Sequence, residues 1–169
     1  MPTLNIDGLT FTFAQGWQAE KYDEWSFYRN QFAKQTDGIK AVDALALSPQ
    51  NTAFLVEVKD YRHPDTEKPS LLAEAIAAKV LHTLAAMLPA KLHANNPSEQ
   101  QLATAILGCA ALRVVARIEQ PQRHRPAVDL ADIKQKLRRL LKAVDAHPKV
   151  VYQDQMSGLA WVVARGITQ

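Results

Sequence analysis

Residues 38–62, GIKAVDALALSPQNTAFLVEVKDYR, constrain the fold more than any other part of this chain. They contain two apolar, β-rich runs joined by a turn at residues 48–51, and charged residues stand inside both runs. Asp43 interrupts the first run, and Glu57 and Lys59 interrupt the second. Charged side chains are almost never fully buried unless they are paired. The three charges therefore form either a functional site or an ion-paired patch on a sheet.

The composition is that of a soluble globular protein, with 169 residues, 47% hydrophobic and 22% charged. This length predicts a single domain over residues 1–169. A lone cysteine, Cys109, excludes a disulfide within the chain. The most apolar segment, residues 71–88, carries Glu74, Lys79 and His82, which argues against a membrane-spanning helix. No signal-peptide pattern opens the sequence, so we expect a cytoplasmic protein without membrane contact.

Hydrophobic periodicity and turn residues predict both strands and helices along the chain. Asp7-Gly8 predicts a hairpin turn. A helix is expected after Gly16, in the first half of residues 17–28. Where this helix ends is undecided, because residues 26–35 also fit a strand. The later elements are strands at 39–47 and 53–61, helices at 70–88 and 97–107, a strand at 112–119, a basic helix from Asp129 to about His147, and a terminal strand pair at 149–153 and 159–165. Ser70 is the expected N-cap of the first long helix. The predicted class is α/β (α+β), a mixed central sheet flanked by helices.

The two-residue period of a strand places Glu57 and Lys59 on the same face. In an antiparallel pair, Asp43 joins them on that face if the paired positions sum to 100, so that Asp43 opposes Glu57. This register also pairs Leu45 with Leu55, and the apolar match favours it.

The length of the connecting loop decides this register. A three-residue loop at 49–51 or a five-residue loop at 48–52 produces it. A four-residue loop at 48–51 would set Asp43 opposite Val56 and turn its side chain to the other face.

With that register, two carboxylates and an amine converge on one patch with a definite chemistry. Asp43, Glu57 and the backbone carbonyl of Val58 offer the hard oxygen ligands that Mg²⁺ or Mn²⁺ prefers. A bound metal activates water, and Lys59 would orient that water and stabilise developing negative charge. This chemistry needs no nucleophilic side chain. The sequence offers no convincing one, because its only cysteine, Cys109, stands in an apolar run and is expected in the core.

Asp43 followed by Glu57-Val58-Lys59, with each group on its own strand and a helix after them, resembles the PD-(D/E)XK nuclease superfamily. The resemblance covers about residues 17–119 and implies a restriction endonuclease-like αβββαβ core, here with an N-terminal hairpin and extra C-terminal strands. It implies metal ligation by Asp43 and Glu57, and Lys59 as the catalytic amine. Val42 stands where the family often has proline.

The same resemblance implies auxiliary site residues on the two neighbouring helices. An acidic residue is expected on the first helix, for which Glu20 and Glu24 are the candidates. A polar residue is expected on the helix after the strands, for which Lys79 and His82 are the candidates.

Positive charge accumulates late in the chain, although the formal net charge is only +3. Such a distribution favours a polyanion-binding surface, while an ordinary solvated helix face explains the helical part equally well. The residues expected to contact nucleic acid are Arg62, Arg123, Arg125, Lys134, Arg138 and Arg139.

Together these features predict a Mg²⁺-dependent nuclease that hydrolyses DNA backbone bonds. Two alternatives stay open: a non-catalytic nucleic-acid-binding module of the same fold, and a protein-interaction subunit, with a homodimer among its forms. A fourth interpretation is structural, since Glu57 and Lys59 could form an exposed ion pair worth about 0–1 kcal/mol.

Overall fold

Two β-sheets and a layer of helices make up the fold in the computed structural model, which describes residues 1–63, 71–121, 125–153 and 158–165. The strands are β1 Thr3–Ile6, β2 Leu9–Phe13, β3 Gln18–Lys21, β4 Ala44–Leu47, β5 Thr52–Asp60, β6 Ala111–Glu119, β7 Lys149–Val151 and β8 Trp161–Arg165. The helices are α1 Ser26–Asn30, α2 Leu72–His93, α3 Pro97–Leu107 and α4 Leu130–Leu140. The predicted α/β class, a mixed sheet flanked by helices, is confirmed.

The central sheet has the strand order β3-β4-β5-β6-β7. Strands β3, β4 and β5 are antiparallel neighbours, whereas β6 runs parallel to both β5 and β7. The long α2–α3 connection makes the crossover that a parallel β5–β6 pair requires.

The central sheet is covered on both faces. One face packs in a core with α2, α3 and α4, to which Leu45, Leu55, Val114 and Ile118 contribute. The other face packs against the small antiparallel sheet β1-β2-β8. Because β5 and β6 are buried on both faces, each strand has apolar side chains on either side, as with Leu55 and Val56 of β5.

The predicted N-terminal hairpin is confirmed. Asp7 and Gly8 both have positive φ, 49° and 74°, as a two-residue hairpin turn requires. Strands β1 and β2 pair from Thr3 with Thr12 to Ile6 with Leu9.

The helix expected after Gly16 is wrong, because Gln18–Lys21 is strand β3, paired with β4. These residues favour a helix in isolation, but the open edge of β4 offers them a ladder, so tertiary pairing outweighs local propensity. Residues 26–35 form the short helix α1 and a 3₁₀ turn instead of a strand.

The long helices differ from prediction at their ends. Helix α2 continues through Pro89 to His93; its predicted N-cap, Ser70, lies outside the described residues. Helix α4 begins after the predicted cap Asp129 but ends at Leu140, well before His147. After the turn that follows, the buried Asp145 carboxylate accepts a hydrogen bond from the Val114 amide of β6 and ties this segment to the central sheet.

The two C-terminal strands form, but they do not pair with each other. Strand β7 extends the central sheet, and β8 pairs with β2 in the small sheet. Period-two patterns identify strands but not their partners, so the expected terminal pair is wrong.

Candidate functional site

Strands β4 and β5 adopt the register in which paired positions sum to 100. Leu45 pairs with Leu55, and Ala44 pairs with Val56. At the turn, the Ser48 amide donates to the Thr52 carbonyl at 2.9 Å, which closes a three-residue loop at 49–51. The predicted register is confirmed, and it sets Asp43 beside Glu57.

Helix α2 holds the segment that precedes β4. The Lys40 amide donates to Nδ1 of His82 at 3.0 Å, and the Val42 amide donates to Oγ1 of Thr83 at 3.1 Å. These bonds direct the backbone toward α2 instead of a neighbouring strand. For this reason the strand expected from residue 39 begins only at Ala44.

At the start of β4, the Asp43 carboxylate accepts a hydrogen bond from the β5 backbone, as a backbone carbonyl of a paired strand would. Its Oδ2 accepts a hydrogen bond from the Val58 amide at 2.6 Å. Burial, and after it the Glu57 carboxylate, raise the pKa of Asp43 to about 7, against the lowering effects of this hydrogen bond and of Lys79 and Lys59. A buried carboxyl beside a like charge therefore binds a proton near neutral pH.

Glu57 is the centre of the cluster, with a side chain only 1% exposed. Its Oε1 atom lies 2.6 Å from Nζ of Lys79 and 2.9 Å from Nζ of Lys59. Burial opposes the charge on Lys59, but the Glu57 carboxylate outweighs it and the pKa of Lys59 is raised. We call Asp43, Glu57, Lys59 and Lys79 the buried charge cluster.

The buried charge cluster contains two carboxylates and two amines, so it is neutral without any added ion once Asp43 has lost its proton. Glu57 Oε2 is buried and has no hydrogen-bond partner among the described residues. The described residues contain no group of three or more acidic, histidine or cysteine side chains placed to share a metal. Binding of Mg²⁺ or Mn²⁺ at Asp43, Glu57 and the Val58 carbonyl stays a prediction.

Of the four auxiliary residues predicted from the resemblance, the structure brings one to the buried charge cluster. Lys79 joins the cluster, whereas His82 binds the Lys40 amide. The expected first-helix position of Glu20 and Glu24 is wrong, because Glu20 lies on β3 and Glu24 lies in a 3₁₀ turn. Glu24 pairs with Lys21 at 2.6 Å, and Glu20 interacts with Trp25, Ser98 and Glu99 on the side of α3.

A second group of charges lies on α4 and the turn after it. A cavity of about 450 Å³ is lined by Gln135, Arg138, Arg139, Lys142, Ala146 and His147. Three of these residues are cations and none is acidic. We call this group the basic cavity; it contains two of the predicted nucleic-acid contacts, Arg138 and Arg139, and Lys134 is exposed on the same helix.

The remaining basic residues are placed elsewhere. Arg62 binds Asp60 through two hydrogen bonds, from Nε at 2.8 Å and from a terminal nitrogen at 2.6 Å. Arg125 lines a different cavity with Tyr152, and Arg123 lies outside the described residues. Among the predicted nucleic-acid contacts that the structure describes, Arg62 and Arg125 therefore lie outside the basic cavity.

Sequence reasoning did not assign Lys142 and His147 to the site. Lys142 lies four residues after Arg138, a spacing that brings side chains together on a helix and could have indicated it. His147 reaches the cavity only because the chain turns back after Leu140, and no sequence signal predicted that turn.

Comparison with known proteins finds one informative similarity. The chain is 30% identical over 151 residues to a cysteine–tRNA ligase of Neisseria meningitidis serogroup A / serotype 4A, covering 72% of this chain and 22% of the ligase. The chain thus spans about a fifth of the length of the curated relative it matches. No family model matches the chain, and no solved structure matches it significantly.

The predicted DNA nuclease is wrong in light of this similarity, because the matched protein is a cysteine–tRNA ligase and not a nuclease. The charge pattern that suggested hydrolysis has a structural explanation, since Glu57 binds two lysines and Asp43 binds the β5 backbone. Carboxylates and amines inside apolar strands indicate that the charges are paired with one another. They do not indicate whether the pairs have a structural or a catalytic role.

Proposed function

We propose that this chain binds RNA, with tRNA as the first candidate, through the basic cavity of α4. The observation that carries the proposal is the convergence of Arg138, Arg139 and Lys142 around one concavity without an acidic side chain in its lining. Arginine and lysine in such an arrangement attract phosphate oxygens.

The cations of the basic cavity are available for binding. Within the described residues no ion pair joins Arg138, Arg139 or Lys142 to a carboxylate, whereas Lys136 on the same helix pairs with Asp132 at 2.8 Å. Ile133 and Leu137 anchor α4 to the core, so the helix holds its exposed charges on a fixed backbone. A preorganised cationic surface loses less conformational entropy on binding.

The similarity to a cysteine–tRNA ligase supports tRNA as the RNA. Because the match covers 22% of the ligase, the proposal concerns RNA binding and not aminoacylation. The same similarity supports the cytoplasmic location expected from the sequence. Of the alternatives left open by the sequence, this proposal corresponds to the non-catalytic nucleic-acid-binding module, for which the sequence did not distinguish DNA from RNA.

The test is fluorescence anisotropy with end-labelled tRNA across a range of salt concentrations, in EDTA and then in Mg²⁺. We expect affinity to fall as salt rises and binding to persist in EDTA. The variant R138A/R139A/K142A should weaken binding about tenfold or more and reduce the slope of log K against log salt by roughly 2, because up to three phosphate contacts are lost.

The matched control compares K34A/K40A with R138A/R139A, because it removes the same charge from exposed positions outside α4. The control variant should retain most of the affinity for tRNA. Only a non-specific attraction would depend on the total charge of the protein and not on where the charges lie. Equal losses in the two variants, or tighter binding of a DNA duplex of similar length than of tRNA, would contradict the proposal.

A further inference from the structure

Helix α2 has a second apolar face that points away from the sheet. Its first face packs Ile76, Val80 and Met87 into the core. On the outer face, Leu81, Leu88 and Leu92 are 48%, 54% and 58% exposed. A helix that is apolar on both sides is normally covered on both sides.

The outer face follows a heptad pattern. We call Ala78, Leu81, Ala85, Leu88 and Leu92 the outer stripe; successive members are three, four, three and four residues apart. This spacing is the seam along which two helices pack side by side with a small crossing angle. The geometry therefore points to another helix as the partner of the outer stripe.

The outer stripe is complementary to itself when a second copy runs antiparallel. If facing positions sum to 166, Leu81 meets Ala85 of the second copy and Leu88 meets its Ala78. Each of these leucines then faces an alanine, and the alternation of large and small side chains lets two helices approach closely. A parallel arrangement in register would set leucine against leucine instead.

Charge favours the same arrangement. The first turn of α2 carries Glu74 and its last turn carries Lys91 and His93. Within the described residues, neither Glu74 nor Lys91 forms an ion pair inside the chain. With facing positions that sum to 166, Glu74 of one copy faces Leu92 of the other and lies one residue from its Lys91, so both ends of the antiparallel pair bring a carboxylate close to an amine.

We infer that the outer stripe of α2 is the interface of a homodimer, with the two α2 helices antiparallel about a two-fold axis near residue 83. The contact runs from Glu74 to Leu92 on each helix, a length of roughly 27 Å at 1.5 Å per residue. The interface lies on a different helix from the basic cavity, so the inference is independent of the proposed RNA binding.

The first test measures molar mass by size exclusion with light scattering over a range of protein concentrations. The wild-type chain is expected to be a dimer, and Leu88→Glu a monomer with unchanged circular dichroism. Leu107→Glu is the matched control, because Leu107 is an exposed leucine outside the stripe, 46% exposed at the end of α3. It should remain a dimer.

Charge reversal tests the orientation. Glu74→Lys should weaken the dimer several-fold, Lys91→Glu should do the same, and the double variant should recover most of the lost affinity. Recovery separates an intermolecular ion pair from a general loss of stability, because two destabilising substitutions would otherwise add.

Cysteine cross-linking tests the register in a Cys109→Ser background. Ala78→Cys protein mixed with Leu88→Cys protein should form a disulfide-linked dimer, since a disulfide needs Cα atoms about 4.4–6.8 Å apart. Either protein alone should not, because its cysteines would lie roughly 15 Å apart along the helix axis.

Three outcomes of these tests would overturn the inference, and a fourth comes from a separate measurement. They are a monomeric wild type at every concentration, a dimer that Leu88→Glu leaves intact, and cross-linking of Leu88→Cys with itself in preference to the mixture. Co-flotation of the wild-type chain with phosphatidylcholine vesicles, lost in Leu88→Glu, would instead assign the stripe to a lipid surface and also reject the homodimer.

Discussion

Among single side chains, those of the buried charge cluster are the most constrained. Glu57 can remain charged in the core because Lys59 and Lys79 both bind its Oε1 atom. Removing one member of such a group leaves an uncompensated buried charge, which costs more than the intact group contributes. Asp43 differs, since it faces Glu57 and its pKa is raised to about 7.

The raised pKa of Asp43 predicts a specific dependence of stability on pH. The folded chain holds a proton on Asp43 up to about pH 7, whereas an unfolded aspartate loses it near pH 4, so the free energy of unfolding falls as pH rises between these values. Asp43→Asn should flatten this fall, which we estimate at about 2–4 kcal/mol.

The measurement is urea unfolding of the wild type and Asp43→Asn across this pH range. Asp37→Asn, at an exposed position, is the control and should retain the wild-type profile. A wild-type stability that stays level or rises between about pH 4 and 7 would show that Asp43 titrates normally.

Among the secondary-structure elements, α1 depends on another helix for its cap. The residue before it, Trp25, supplies no side-chain cap. Instead the buried Glu99 carboxylate of α3 accepts hydrogen bonds from the amides of Ser26 at 2.7 Å and Phe27 at 3.0 Å. The negative charge also lies at the positive end of the short helix.

Glu99→Gln should therefore destabilise α1 and the chain by about 1–3 kcal/mol, because an amide NH₂ would face an N–H donor and the charge would be lost. Hydrogen exchange should show faster exchange of the Ser26 and Phe27 amides. Gln101→Ala, at an exposed position of α3, is the control and should change neither. Unchanged exchange in Glu99→Gln would show that α1 does not need this cap.

At the level of the complete chain, an aromatic cluster joins the two sheets. Trp161 of β8 lies 5.4 Å from Phe13, 5.8 Å from Trp17 and 5.2 Å from Phe54, measured between ring centroids. The cluster connects residues from opposite ends of the chain, so the small sheet and the central sheet share one apolar layer.

Trp161→Ala should lower the free energy of unfolding by about 3–5 kcal/mol through loss of buried area and the cavity that remains. Val162→Ala, on the same strand but 68% exposed, should change it by less than about 0.5 kcal/mol. Chemical unfolding followed by circular dichroism measures both, and similar losses would show that β8 contributes through its backbone pairing alone.

Short sequence patterns predicted the elements that depend only on residues close together in the chain. Asp7-Gly8 identified a hairpin because that turn needs positive φ at both central residues, and Asp129 identified the start of α4 because its side chain caps the helix. Gln18–Lys21 could not be identified in this way, since its strand exists only through pairing with β4.

The sequence by itself determined the α/β class, and it favoured the register that sets Asp43 near Glu57 because strand periodicity and the match of Leu45 with Leu55 are short-range properties; the structure decided the loop length that makes this register. Only the tertiary structure decided that Lys79 completes the charge cluster, that Glu20 and Glu24 lie apart from it, and that Arg138, Arg139, Lys142 and His147 surround one cavity. These placements depend on how α2 and α4 pack and where the chain turns, and long-range contacts of this kind leave no periodic signal in the residues that make them.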